Sequence, residues 1–159
     1  MRIVLLALFC AASTLALAQV PPLSPNAPKD KPQAIAANRV SAYEAAIAPY
    51  IAEAKRTYPA AEARFLHGLP TGEHFYVTTL LHDQLGRVEQ VFIAVQSIKN
   101  GVVSGRISSQ INMVASYKLG ETYSFPESEV IDWLITHSDG SEEGNYVGKF
   151  LDTYHSSGT

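Results

Sequence analysis

Cysteine is nearly missing from this chain of 159 residues: Cys10 is the single one. A lone thiol near the amino terminus excludes an internal disulfide, a Cys-x-x-Cys redox centre and cysteine-bound zinc. Charge is also scarce. Asp, Glu, Lys and Arg make up 17 % of the residues, the formal charge is −3, and no basic run occurs. Nucleic acid and anionic membrane surfaces need clustered cations, so neither is an expected partner. Beyond the first 18 residues no apolar run is long enough to span a bilayer. Catalytic signatures are missing too. There is no G-x-S-x-G elbow, no H-E-x-x-H helix, no phosphate loop and no calcium-loop spacing. The sequence therefore calls for no metal and no cofactor.

What is present begins at the amino terminus. Arg2 precedes an almost wholly apolar stretch over residues 3–17, and Ala16, Leu17 and Ala18 form a small-x-small cleavage pattern. Residues 1–18 therefore read as a secretory signal peptide, with export to a periplasm or beyond the cell. Phe9 stands before Cys10 where a lipoprotein signal uses a small residue, so no lipid anchor is expected. Residues 19–33 hold Pro21, Pro22, Pro25, Pro28 and Pro32 among polar residues and read as a solvated linker.

Residues 34–159 read as one domain. Val40, Tyr43, Ile47, Tyr50, Ile51, Ala54 and Tyr58 recur at three- and four-residue steps, which predicts an amphipathic helix. Pro49 is expected to kink or split it, and Pro59 to close it. Alternating β-branched and aromatic residues predict strands over 74–81, 88–98, 102–111, 122–125 and 130–136. Asn100-Gly101 matches a two-residue type I′ hairpin turn. Residues 145–154 read as a last helix. The expected class is α+β, with a kinked helix or helix pair packed on an antiparallel meander of about five strands.

Four segments fall in a recognisable order: Glu89-Gln90-Val91-Phe92-Ile93, Gly105-Arg106-Ile107, Gly120-Glu121 and Val130-Ile131-Asp132-Trp133. Across residues 52–150 the chain resembles the YegJ-like bacterial proteins, domain of unknown function 2314. Glu73-His74-Phe75-Tyr76-Val77 is nearer in composition to the family's Glu-His-x-Trp-Val strand. It lies too far from Gly105 and Trp133 for the family spacing, so Glu89 takes the acidic position. Gln90 then replaces the family histidine, Phe92 the tryptophan, and Ser109 and Ile111 its Asn and Pro. The resemblance implies a fold grouping, and it implies that histidine chemistry at this strand is lost here.

Asp132 and Trp133 are the most informative local pair. In a strand they point to opposite faces, Trp133 with Ile131 and Ile135 toward a core and Asp132 between Val130 and Leu134. A buried Asp132 needs partners: backbone amides, Arg106 or Lys118. If the strands of Glu89 and Asp132 adjoin, the two carboxylates could share a proton and serve a small envelope hydrolase. His67, His74, His82, His137 and His155 show no ligand spacing. Tyr43, Tyr50 and Tyr58 suit either a core stripe or a docking patch for an accessory subunit. The lack of a convergent acid–base set favours a non-catalytic binding module over an enzyme. Its candidate residues are Glu89, Arg106, Asp132 and Trp133, and its partner an envelope protein or small ligand.

Overall fold

The computed structural model describes Ser24, residues 26–29 and residues 40–154. The expected signal peptide and most of the linker lie outside these residues, as does His155. Helix α1 (Val40–His67) leads into strands β1 (His74–His82), β2 (Val88–Lys99), β3 (Val102–Ile107) and β4 (Thr122–Pro126). One 3₁₀ turn (Glu127–Glu129) precedes β5 (Asp132–Thr136), β6 (Glu142–Gly144) and helix α2 (Tyr146–Thr153). The strands form one six-stranded sheet in the order β4-β3-β2-β1-β5-β6. Every pairing is antiparallel. The fold is α+β.

Three details depart from the sequence expectation. First, α1 runs unbroken through both Pro49 and Pro59. Each proline frees one carbonyl, of Ala45 and of Lys55, and all four residues are exposed, so water can satisfy what the helix loses. Second, the meander stops at β4. The chain then crosses back and adds β5 beside β1, where the Thr79 hydroxyl donates to Glu129 O (3.2 Å) and Ile131 N–H to Thr78 O (2.8 Å). Third, the sheet has a sixth strand. Glu142, Glu143 and Gly144 carry no strand propensity, and they pair only because β5 offers an open edge.

The main core lies between α1 and one sheet face. Register aligns Trp133, Val77, Ile93 and Ile107 across four strands, with Phe75 opposite Ile135 in the next row. Ala54, Tyr58 and Ala61 of α1 join this core. Each large side chain buried here contributes about 1.5–3 kcal/mol. Gly105 permits close strand packing, since a Cβ there would stand 2.3 Å from Ala94 O. The Asn100-Gly101 turn takes positive φ at both residues (52° and 73°), as a type I′ hairpin requires.

Helix α2 lies along the first half of α1, with Tyr50 stacked on Phe150 at 4.3 Å and Tyr43 edge-on to Tyr154 at 6.4 Å. The tyrosine stripe is thus shared between the core and the helix pair, with Tyr50 partly exposed. The second sheet face carries Tyr76, Leu134 and Thr136, all buried. Against it lies a piece of the segment expected as solvated linker. Asn26 Nδ2 donates to His137 O (3.2 Å), the Ser24 side chain bonds the Tyr76 hydroxyl, and Pro28 is buried.

Candidate functional site

Glu89 sits one residue into β2 and turns inward, opposite Leu81. Sequence alternation would place an apolar residue here. Instead the carboxylate accepts three consecutive backbone N–H groups from the loop after β3: Asn112 (2.8 Å), Met113 (2.8 Å) and Val114 (3.0 Å). Burial opposes the charge and is the largest single effect. The three amides together outweigh it and hold the carboxyl below its usual range. The loop is fixed from below, and Val114 is pulled fully into the core.

Asp132 opens β5 on the other face and is 2 % exposed. Its Oδ1 accepts Trp133 N–H (2.8 Å) and its Oδ2 accepts Val147 N–H (2.7 Å). Helix α2 has Asn145 at its N-cap in the left-handed region, with no side-chain cap of its own. Asp132 supplies that cap from a different element, and its charge suits the positive end of the helix. Burial is the larger influence on its proton. It raises the carboxyl to about 6, against the opposing pull of the Val147, Trp133 and Tyr146 amides and of Lys149.

The two acids do not meet. Strand β1 lies between β2 and β5, and register puts Glu89 and Asp132 on opposite faces of the sheet. The geometry that a shared proton requires is missing. Arg106, on β3, is separated from β5 by both β2 and β1, and its Nε donates to Gly120 O (3.2 Å). Of the partners considered for Asp132, the backbone amides are the ones it has. Trp133 is buried and its indole N–H donates to Thr57 Oγ1 (2.9 Å), which ties β5 to α1.

Other polar groups gather without any mark in the sequence pattern. His137 Nδ1 lies 2.8 Å from Glu73 Oε1, its Nε2 lies 3.9 Å from Glu143, and Glu143 pairs with Arg64 at 2.6 Å. Glu73 and His137 are 64 residues apart in sequence, so only the β1–β5 pairing could reveal them. Among the described residues, no cluster of three or more His, Cys, Asp or Glu could hold a metal ion.

The end of the sheet beyond Glu89 is built of two fastened loops. In the β1–β2 turn, Asp83 accepts the N–H groups of Leu85 and Arg87 at 2.9 Å each and the Arg87 Nε at 2.6 Å. The Glu89 clasp holds the facing loop. Leu85 and Met113 nevertheless project into solvent, at 78 % and 50 % exposed.

The profile of a bacterial protein family aligns with residues 46–156, from the second turn of α1 past the end of α2. The chain belongs to the DUF2314 family, described as uncharacterized proteins conserved in bacteria. No curated protein and no solved structure matches it. The DUF2314 domain thus includes both carboxylate clasps and the whole sheet. Ser24 and residues 26–29, which lie on the second face, fall outside it.

Proposed function

We propose that this DUF2314 protein is an exported bacterial envelope protein that acts by binding, to another envelope protein or to a small envelope ligand, without catalysis. The observation that carries this reading is the disposition of its two inward-facing acids. Glu89 and Asp132 accept backbone amides and stand on opposite sheet faces. Acids so engaged fasten a loop and a helix; they are not placed to exchange protons with a substrate between them. Export is supported by the charged, apolar and small-residue pattern of residues 1–18. Binding is supported by the exposed Leu85 and Met113 on loops whose backbones are already ordered, since such loops lose little entropy on association.

Native mass spectrometry of the protein purified from its own export compartment tests this reading. Extra mass that denaturation removes is the expected result and would identify the bound species. Retention in the cytoplasm would contradict export. Turnover of envelope glycans or esters, abolished by Glu89→Gln or Asp132→Asn in a still-folded protein, would contradict a non-catalytic role.

A further inference from the structure

The second face of the sheet is met by a segment that precedes α1 in the chain. Asn26 donates through its side-chain amide to His137 O at the end of β5, and Ser24 reaches the Tyr76 hydroxyl. Asn26 N–H and Ala27 N–H turn back to Ser24 (3.2 and 3.0 Å), so the arm enters as a compact turn. Pro28 follows and is buried. The sheet face itself carries Tyr76 and Leu134, with exposures of 1 % and 0 %, and on the same face the Thr136 hydroxyl is fully buried without a hydrogen-bond partner. A buried proline, flanked by polar side chains that reach a strand-end carbonyl and a tyrosine hydroxyl, has the chemistry of proline-peptide recognition.

Two observations separate the surface from its occupant. The surface belongs to the family domain, whereas the arm lies before residue 46 where the family match begins. Among the described residues, two side-chain hydrogen bonds and one buried proline hold the arm, set against the entropy of ordering its residues. We propose that this face is a binding site for an Asn-x-Pro segment of another polypeptide, and that Ser24 and residues 26–29 are its resident competitor in cis. The proposal rests on the binding-module reading and names a ligand class for it. Tethering gives the arm an effective concentration on the order of millimolar, so the partner segment must bind well enough to outcompete it.

The test is fluorescence anisotropy with a labelled peptide of residues 19–33, titrated against the full mature chain and against its Asn26→Ala/Pro28→Asp form. Both substitutions lie in the arm and leave the family domain untouched. Eviction of the arm is expected to tighten peptide binding by about tenfold or more. Unlabelled peptide should compete, and the same peptide with both positions replaced by Ala should not. Equal affinity for the two proteins, or no saturable binding to the evicted form up to about 1 mM, overturns the proposal. If the double variant loses its fold, Asn26→Ala alone is read in the same way, with tighter binding expected and unchanged binding contrary. A wild-type dimer abolished by Pro28→Asp would assign the face to the arm of a second copy and overturn an external partner. Failure of the peptide to bind, with extra mass still present in native spectra, removes this site and leaves the binding reading in place.

Discussion

Glu89 and Asp132 are similar acids in similar company, yet their protons are shifted in opposite directions. Glu89 keeps slightly more exposure, 8 % against 2 %, and gathers three amides on two oxygens. Asp132 is more deeply buried and its desolvation prevails. The consequences for stability are opposite in sign. Asp132 has a folded value of about 6 against an ordinary 3.8, so between these limits the folded state holds a proton that the unfolded chain has lost. Stability from this group is greatest in acid and falls by on the order of 2–3 kcal/mol as pH rises through that window. Glu89 lies below its ordinary 4.5, so its contribution is present above that value and lost as pH falls through the folded one. Urea midpoints should therefore rise on going from about pH 7 to about pH 5 and fall again below about pH 4. Asp132→Asn should flatten the first change. A midpoint that declines steadily from pH 7 downward would contradict this. At neutral pH, Glu89→Ala leaves three amides without an acceptor and should cost about 2–3 kcal/mol by the same measurement, with Glu89→Gln losing less.

At the scale of elements, much of the architecture is legible in the chain because it rests on local rules. The tyrosine and aliphatic stripe of α1, the alternation of β1 and β2 and the Asn100-Gly101 turn each carry their own signal. Elements that depend on distant partners carry none. β6 exists because β5 has a free edge, and α1 passes Pro49 and Pro59 because packing holds its other face. If those prolines are tolerated and not required, Pro59→Ala should stabilise the protein by about 1–2 kcal/mol, since a helix interior disfavours proline by about 3 kcal/mol and part is offset in the unfolded state. A lower melting temperature would show that Pro59 has a structural role. Gly144 is the opposite case. Its φ is +79°, and a Cβ would stand 2.3 Å from Trp133 O and 2.9 Å from the indole ring. Gly144→Ala should cost about 2–3 kcal/mol and loosen α2, measurable as a lower melting point. The candidate site was legible in part. Family spacing singled out Glu89 and Asp132 and alternation separated Asp132 from Trp133. The amides of residues 112–114 and 147 could not be found, because backbone donors leave no mark in a sequence.

At the scale of the whole molecule, both sheet faces are accounted for by different means. One carries α1, the return crossing and the Glu89 loop; the other carries Tyr76, Leu134 and the arm around Asn26 and Pro28. The acids serve as fasteners at the joints of this assembly; under the proposed binding role, recognition falls to the loop ends and the second face. Amide hydrogen exchange on the wild-type protein tests that central claim most directly. Asn112 and Met113 are exposed residues in an irregular loop, so their amides exchange quickly unless Glu89 holds them. Protection of about a hundredfold or more at residues 112–114 and at Val147 is expected, with protection at 112–114 lost in Glu89→Ala and at 147 in Asp132→Ala. Exchange at unprotected rates in the wild type would mean that the two carboxylates are free, and would return them to consideration as chemical groups.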